Sequence, residues 1–341
     1  MTAMRTVRAL VKNDPTPGTS SLEGVAVPAL GPRDARLELI FGGLCHTDLA
    51  MLHSQLGDAQ GYHISYPVVL GHEFVARVQE VGDEVTNISP GDRVVGSGHL
   101  TCRRCRWCLA GRSMLCIERR TIGIEAPGVW AEEFILPAEN LVALPDSVSD
   151  RLGALAEPFA VAAHAVDLAA PAPRDRVAVV GPGTVGQLLV AALRGLDVTV
   201  VGTPHDGAQL ARCIELGAAR AVSDPDDLAA LADTFDVVIE AAGRGAAVSA
   251  GVSLLGPGAR MVCVGVAPDT TTFDSSRLVL GERTLQGSRS YDLSTWQTIP
   301  QRLAAVPELE SLVSHVVDFT ELEHACELVE TRQATKVLLH P

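Results

Sequence analysis

Four cysteines stand close together about a third of the way along the chain, in a spacing that suits a metal ion. They are Cys102, Cys105, Cys108 and Cys116. Four thiolates in one short segment can close a tetrahedral sulfur site without a separate scaffold, and structural zinc favours this ligand set. A redox-active Cys-x-x-Cys pair and an iron centre are the alternatives. A closed four-sulfur site has no free coordination position, so its metal would stabilise a lobe and take no part in catalysis.

A second group of ligand-type residues is dispersed along the chain. It contains Cys45 in GLCHTDLA, His72 and Glu73 in VVLGHEF, and Glu157 in LAEPF. A thiolate, an imidazole and a carboxylate form the mixed ligand set that catalytic zinc uses, which leaves one coordination position for a substrate oxygen. Each residue alone has an ordinary explanation, because a lone cysteine usually packs in a core and a His-Glu pair usually lies on the surface.

Three glycines form the pattern Gly-x-Gly-x-x-Gly directly after the apolar run VAVV: Gly181, Gly183 and Gly186. The first permits a tight turn, the second lets a pyrophosphate approach the backbone, and the third lets a helix pack closely on the preceding strand. The pattern is weak by itself, but here a strand precedes it and a helical stretch follows it. It therefore predicts a dinucleotide site that also includes Thr184 and Val185.

The elements that must position these groups change character near residue 150. Before it, short apolar runs broken by Gly, Pro and Asp predict a mostly β, barrel-like unit. After about residue 174, strands alternate with helices, which predicts an open parallel sheet covered on both faces. The predicted strands are 177–181, 197–202, 236–243, 260–266 and 284–288, and the clearest helices are 184–196 and 207–218. A helix and the strand KVLLH end the chain.

Length and composition exclude several classes of protein. A chain of 341 residues predicts two domains, and 47% hydrophobic with 20% charged residues is typical of a compact fold. A net charge of −14 argues against nucleic acid as a partner. Because we find neither a secretory signal nor an apolar run of the roughly 18 residues that a membrane helix needs, we expect a cytoplasmic protein without a membrane partner.

The order of these motifs resembles the zinc-dependent medium-chain dehydrogenase/reductase family over nearly the whole chain. The matching features are Cys-x-Thr-Asp, Gly-His-Glu, the four clustered cysteines and the glycine pattern. The resemblance implies a mostly β, GroES-like catalytic domain formed by residues 1–155 and 291–341. It also implies an inserted α/β Rossmann domain with a doubly wound parallel sheet, residues 156–290, and an active site in the cleft between the two. Glu157, where animal alcohol dehydrogenases carry a cysteine, is typical of the polyol, threonine and glucose dehydrogenase branch.

The same resemblance implies roles for the catalytic residues. Cys45 and His72 would be fixed ligands of a catalytic zinc, and two carboxylates, Glu73 and Glu157, would ligate directly or exchange with water. Asp48 would orient His72. The remaining roles concern transfer of the substrate's hydroxyl proton, which Thr47 would accept. Ala50 stands where many relatives carry a relay histidine, so His53 would either take over that relay or be an ordinary surface histidine.

For the cofactor, the resemblance implies backbone contacts from Val264 and Val266 on either side of the nicotinamide, with Ser288 near it. Lys336 would neutralise the pyrophosphate or else be a surface lysine. Thr203 stands where NAD enzymes usually carry an acidic residue for the ribose, and no arginine beside it favours a 2′-phosphate. Asp206, three residues further on, could take the place of the acidic residue that binds the ribose. The choice between NAD and NADP stays open, with a lean towards NAD.

These observations predict a zinc-dependent oxidoreductase with two zinc ions per chain. It would transfer a hydride between NAD(P) and a polar secondary alcohol, which could be a polyol, a sugar, a cyclitol or an amino alcohol. A zinc-free enone or quinone reductase on the same scaffold and a non-catalytic dinucleotide-binding protein are the alternatives, and the intact set of Cys45, His72 and Glu73 argues against both. The partners would be the small alcohol or ketone and, from family habit, further copies in a homodimer or homotetramer.

Overall fold

The computed structural model describes residues 5–58, 61–267 and 269–341. The chain divides into two compact units. The first unit contains Met1–Glu157 and Trp296–Pro341, and the second unit contains Pro158–Thr295. The first unit is therefore assembled from two stretches of chain that are far apart in the sequence.

The strands and helices are numbered separately in chain order. The strands are β1 Thr6–Lys12, β2 Ser20–Ala26, β3 Asp34–Leu44, β4 Val68–Val69, β5 Glu73–Val81, β6 Arg93–Gly96, β7 His99–Leu100, β8 Arg120–Thr121, β9 Glu133–Pro137, β10 Leu141–Ala143, β11 Arg176–Val180, β12 Asp197–Val201, β13 Arg220–Val222, β14 Phe235–Glu240, β15 Leu255–Cys263, β16 Thr284–Gly287, β17 Val313–Asp318 and β18 Lys336–His340. The α-helices are α1 His46–Leu52, α2 Arg106–Leu109, α3 Asp150–Gly153, α4 Ala156–Ala169, α5 Thr184–Ala192, α6 Gly207–Glu215, α7 Pro225–Ala229, α8 Gly245–Leu254, α9 Ser276–Leu280, α10 Leu293–Trp296, α11 Ile299–Ala304 and α12 Leu322–Glu330. Short 3-10 turns lie at Ser113–Leu115, Ala138–Asn140, Pro307–Leu312 and Phe319–Glu321.

The first unit is mostly β and is organised around the long strand β3. Its main sheet has the order β10-β6-β5-β3-β18-β17, and β9 also pairs with β3. Strands β5, β9 and β18 all run antiparallel to β3. The last strand of the chain therefore lies beside the end of β3, where Gly43 is opposite both Glu73 and Leu338.

The core of the first unit follows from the alternation of side chains along its strands. In β3, Ala35, Leu37 and Leu39 are buried and separated by more exposed residues, as expected for a strand with one face on a core. The Trp130 ring lies so close to Gly71 that a Cβ there would approach its Cδ1 atom to 2.2 Å. Gly71 also has a φ of +89°, so glycine is required on two grounds at the start of the Gly-His-Glu motif.

The second unit contains a six-stranded parallel sheet of order β13-β12-β11-β14-β15-β16. The order reverses between β11 and β14, as in the doubly wound Rossmann fold. Each of the five predicted strands corresponds to an observed one, and the helices α5 and α6 end earlier than predicted. Gly195 and Gly217, with φ of +89° and +110°, turn the chain just beyond these two helices. The three-residue strand β13 was not predicted.

Hydrophobic side chains of the second unit form a core of their own on this sheet. Its buried members include Ala178, Val238, Val252 and Met261.

In the part of the chain that the structure describes, no helix is both long enough and apolar enough to cross a membrane.

Candidate active site and metal centres

The four clustered cysteines converge on one point in the first unit. Their sulfur atoms all lie within 4.8 Å of one another, with Sγ–Sγ distances of 3.7 Å for Cys105–Cys108 and 3.4 Å for Cys102–Cys116. A disulfide would need about 2.05 Å. Tetrahedral zinc with bonds of about 2.3 Å places its sulfur ligands roughly 3.8 Å apart. The geometry therefore fits a closed zinc site.

Backbone N–H groups around this four-cysteine site favour thiolates, but not all four at once. The N–H of Cys108 contributes most to lowering the pKa of Cys105, to about 6. Burial, followed by the neighbouring thiol of Cys105, raises the pKa of Cys108 to about 12. Adjacent thiolates repel one another, and a bound cation would favour the full set of four thiolates.

Cys45 and Asp48 are fixed together at the beginning of α1. Cys45 is the N-cap residue: its Sγ accepts a hydrogen bond from the N–H of Thr47 at 3.2 Å, and its own N–H donates to Asp48 Oδ2 at 3.0 Å. This is a reciprocal capping box in which cysteine takes the place of the usual serine or threonine. The helix start thus holds the thiol and the carboxylate in a defined relation.

His72 joins this pair through both ring nitrogens. Nε2 lies 3.3 Å from Cys45 Sγ, and Nδ1 lies 3.2 Å from Asp48 Oδ1. Burial disfavours the charged imidazole, yet Asp48 and Cys45 together raise the pKa of His72 well above its usual value. With Nδ1 directed to a carboxylate and Nε2 to the thiol, the ring has the orientation of a metal-binding histidine.

Two buried carboxylates complete the cluster. The ligand atoms of His72, Glu73 and Glu157 lie within 4.8 Å of one another. Glu73 begins β5, and Glu157 lies in the first turn of α4. A Cβ on Gly43 would lie 2.1 Å from Glu73 Oε2, so the glycine provides the space that this carboxylate occupies. His72 is thus shared by this group and the group with Cys45 and Asp48, and their thiol, imidazole and carboxylates are the ligand types of a catalytic zinc.

Lys336 belongs to the same cluster. Its Nζ forms an ion pair with Glu73 Oε2, and the two side chains are 3% and 1% exposed. Burial opposes the charge on the lysine, but Glu73 and Cys45 raise its pKa above the usual value. The alternative of a surface lysine is therefore wrong, because Lys336 begins a strand inside the main sheet of the first unit. Its contact with pyrophosphate stays a prediction.

The two residues expected to move the proton have different surroundings. Thr47 is half-buried within α1, next to Cys45. The side chain of His53 is 48% exposed, and its Nε2 contacts Glu330 Oε1 at 2.5 Å. Within the described ranges, no hydrogen bond joins His53 to Thr47. The structure does not bring the predicted relay pair into direct contact.

In the second unit, the glycine pattern has the contacts that its spacing predicts. Gly181 has a φ of +106°, and a Cβ on Gly186 would lie 1.9 Å from Gly181 O. Gly183 is the N-cap of α5 and has open space beside its Cα, so a ligand could approach its backbone. Thr184 and Val185 form the first turn of the helix, where phosphate groups bind favourably.

The other predicted cofactor residues lie at the carboxyl ends of neighbouring strands. Beyond β12, both the N–H and the hydroxyl of Thr203 donate to Asp206 Oδ2 at 2.7 Å. Beyond β15, Val264 donates its N–H to Glu240 O at 2.8 Å, and Val266 is 89% exposed. The N–H of Ser288 donates to Cys263 O at 2.8 Å. Ligands of open parallel sheets bind at this edge.

Sequence reasoning missed two contacts. The pairing of Lys336 with Glu73 is indicated in the sequence only by a lysine at the start of a mostly apolar strand. Glu240, a buried carboxylate at the end of β14, lies in the predicted strand 236–243, and the sequence pattern gives it no role of its own. In each case an ionisable residue at one end of a mostly apolar strand was the available signal.

Comparisons with known proteins agree with these two units. Residues 31–146 match the alcohol dehydrogenase GroES-like domain, and residues 184–305 match the zinc-binding dehydrogenase family. L-Threonine 3-dehydrogenase of Anaeromyxobacter sp. (strain Fw109-5) is 30% identical over 98% of this chain and 99% of its own length. That of Legionella pneumophila (strain Corby) is 30% identical over 98% of this chain and 100% of its own.

Solved structures are similar over the whole chain. A zinc-binding dehydrogenase from Sinorhizobium meliloti 1021 bound to NADP has a TM-score of 0.90 and 28% identity, covering 99% of this chain and 100% of that one. Galactitol-1-phosphate dehydrogenase from Escherichia coli has a TM-score of 0.87 and 28% identity, covering 98% and 100%.

The fold and site thus define a zinc-dependent dehydrogenase with a GroES-like catalytic domain and a Rossmann domain. The chain belongs to the zinc-dependent medium-chain dehydrogenase/reductase family. It is an NAD(P)-dependent alcohol dehydrogenase. The predictions of family, fold class and enzyme class are confirmed.

Proposed function

We propose that this enzyme moves a hydride between NAD and a polar secondary alcohol, which is a polyol or an amino alcohol, and that each chain holds two zinc ions. The observation that carries the proposal is that His72 belongs to two groups of possible metal ligands, one with Cys45 and Asp48 and one with the buried carboxylates of Glu73 and Glu157. The relatives named L-threonine 3-dehydrogenase and galactitol-1-phosphate dehydrogenase support a polar substrate. The four-cysteine site would hold the second, structural zinc.

The residues of the first unit would each have a separate role in the reaction. A bound zinc supplies the Lewis acidity that lowers the pKa of an alcohol. Thr47, fixed beside Cys45 through its N–H, would take up the hydroxyl proton of the substrate. Asp48 would hold the His72 ring in its metal-binding orientation. Lys336 would offset the charge of Glu73 inside the protein.

The second unit would bind the cofactor, which carries the hydride itself. Its pyrophosphate would lie on the glycine loop at the start of α5, and its adenosine ribose near Thr203 and Asp206. An acidic group at that position accepts hydrogen bonds from a ribose 2′-hydroxyl and repels a 2′-phosphate. We therefore favour NAD, and the ratio of kcat/KM with NAD to that with NADP tests the choice.

A homo-oligomer is proposed on the basis of one edge of the second unit. Strand β16 ends the six-stranded sheet, and its Leu285 and the neighbouring Val279 and Leu280 of α9 are exposed, the last two by 77% and 85%. An apolar sheet edge is a favourable place for a second copy to pair. Sedimentation velocity on the wild type and on Leu280→Glu tests the oligomeric state.

We also propose a cytoplasmic location, where zinc-binding thiols stay reduced.

The substrate proposal is tested with a panel of polyols, sugars, cyclitols and amino alcohols, including L-threonine. Reduction of the cofactor is followed by its absorbance, and the metal content of the same preparation is measured. We expect oxidation of at least one secondary alcohol and two zinc ions per chain. Reduction of an enone or quinone by a zinc-free preparation that oxidises no alcohol would favour the alternative function.

Replacing Glu157 with alanine should weaken the catalytic zinc selectively. An oxygen ligand holds zinc less firmly than sulfur does, so this metal should leave before the four-sulfur one under a chelator. Loss of the carboxylate should lower metal affinity by about 10- to 100-fold, as for other groups that support a zinc site. Zinc release to a colorimetric chelator measures the effect.

Glu323→Ala is the matched control, because Glu323 is an exposed acidic residue in the first turn of another helix, α12. It should release zinc as the wild type does. If Glu157→Ala keeps full activity and normal zinc release, Glu157 is a helix-end carboxylate and not part of the metal site.

Thr47→Ala and His53→Gln should differ in their dependence on pH. Loss of a positioned proton-transfer group costs about 10²- to 10⁴-fold in rate, and we expect this for Thr47→Ala at every pH. If His53 passes the proton onward, His53→Gln should slow oxidation mainly below neutral pH, where hydroxide is scarce, and added imidazole should partly restore the rate. The pH–rate profile measures both.

His63→Gln is the control for this experiment, because His63 is another exposed histidine beside a carboxylate, Asp58. It should leave the profile unchanged. An unchanged profile in His53→Gln as well would show that the proton leaves Thr47 by water or by a cofactor hydroxyl.

A further inference from the structure

Glu240 is a fully buried carboxylate in the second unit that the proposed chemistry does not use. It is the last residue of β14 and is 0% exposed. Its Oε1 accepts hydrogen bonds from the N–H groups of Ala242 and Gly243 at 2.8 and 2.7 Å. Its backbone carbonyl accepts from Val264 and Gly265 at 2.8 and 3.2 Å. One residue therefore binds both the loop after β14 and the loop after β15.

Three loops approach one another unusually closely around this carboxylate. A Cβ on Gly181, after β11, would lie 2.7 Å from the nitrogen of Ala242. A Cβ on Gly265 would lie 2.2 Å from the nitrogen of Gly243 and 2.9 Å from Glu240 Oε2. Backbone contacts this close tolerate no side chain. The loops that follow β11, β14 and β15 thus form one interlocked structure at the carboxyl edge of the sheet.

Loss of this carboxylate would leave buried backbone groups without an acceptor. A buried carboxylate costs free energy unless its oxygens are paired, and the N–H groups of Ala242 and Gly243 pair Oε1. A leucine there would avoid burying a charge but would leave those two N–H groups without their acceptor. The carboxylate therefore fixes the backbone of this loop, at the sheet edge where ligands of this fold bind.

We propose that Glu240 is a positioning residue that sets the backbone shape of residues 241–243 and 264–266 for the nicotinamide half of the cofactor. This inference rests on the proposed function, because it takes a nicotinamide cofactor as the ligand of that edge. The adenosine half lies near Thr203, beyond β12, and does not depend on Glu240. Loss of the carboxylate should thus weaken binding of the whole cofactor and spare its adenosine part.

The test compares two ligands in direct titrations of the intact enzyme. NADH, or NADPH if the wild type prefers it, probes the whole site, and AMP probes the adenosine side alone. Glu240→Leu loses the acceptor of two N–H groups, so the Kd for the reduced cofactor should rise about tenfold or more, at roughly 1.4 kcal/mol per factor of ten. The Kd for AMP should change by less than about twofold. Glu240→Gln keeps one acceptor oxygen and should recover most of the affinity.

Two further variants make the test decisive. Asp236→Asn alters a carboxylate at the opposite end of the same strand, where Asp236 accepts from the N–H of Arg176, and should leave both ligands unaffected. Gly265→Ala keeps Glu240 but forces the two loops apart, and it should reproduce the selective loss even if Glu240→Leu fails to fold.

The outcomes separate the inference from the proposed function. Unchanged cofactor affinity in Glu240→Leu or Gly265→Ala, or an equal loss of AMP and cofactor, would overturn the role of Glu240 while the wild type still binds its cofactor. A wild type that binds neither NADH nor NADPH would instead refute the proposed function, and the inference with it.

Discussion

Cys45→Ser should lose nearly all activity while the protein stays folded. Serine can replace the sulfur as N-cap of α1 and accept the N–H of Thr47, so the free energy of unfolding should change little. It cannot supply the thiolate, because a serine hydroxyl stays protonated at neutral pH. A catalytic zinc contributes several kcal/mol of transition-state stabilisation, so kcat/KM should fall about a thousandfold or more.

Three measurements on Cys45→Ser check this: kcat/KM, zinc per chain by elemental analysis, and thermal unfolding. We expect one zinc ion to be lost and the other to stay. Cys326→Ser is the matched control, because Cys326 is a half-buried free thiol of α12 outside both metal clusters. Full activity in Cys45→Ser, or two retained zinc ions, would contradict the proposed ligand set.

Features confined to one short segment could be predicted from the sequence. The glycine pattern is such a feature, because the turn at Gly181 and the packing of Gly186 on it lie within six residues of chain. The four cysteines are another, since their spacing alone brings the sulfurs together. The alternation of strands and helices also repeats locally, and it was sufficient to predict the parallel sheet of the second unit.

Features that depend on strand register could not be predicted. Lys336 meets Glu73 because β18 and β5 both pair with β3, and Gly43 of β3 stands between them. Neither the neighbouring strand nor its register is encoded near Lys336. Glu240 is buried because two glycine loops touch beyond it, which is a property of three separate strands. The short strand β13 has only three residues, too few to show a period.

Cys105→Ser should destabilise the lobe around the four-cysteine site and release its zinc. This lobe, residues 101–119, buries few apolar side chains: Met114 is buried, but no residue of α2 is, and Leu109 and Ile117 are each 76% exposed. We therefore expect the metal to supply much of the lobe's folding free energy. We expect a loss of about 3–5 kcal/mol, a part of the roughly 10–16 kcal/mol with which structural zinc binds small peptides at neutral pH.

Cys105→Ser and Cys45→Ser should have opposite effects, because the first should lose stability and the second should lose activity while it stays folded. Cys105→Ser should lower the melting temperature and open the segment 101–119 to proteolysis, and activity should fall only as the protein unfolds. Leu109→Ser, at an exposed position of α2 next to Cys108, should change neither quantity. Zinc content, melting temperature and the rate of proteolytic cleavage are measured on Cys45→Ser, Cys105→Ser and Leu109→Ser. An unchanged melting temperature together with two zinc ions in Cys105→Ser would show that the four sulfurs do not hold the lobe together.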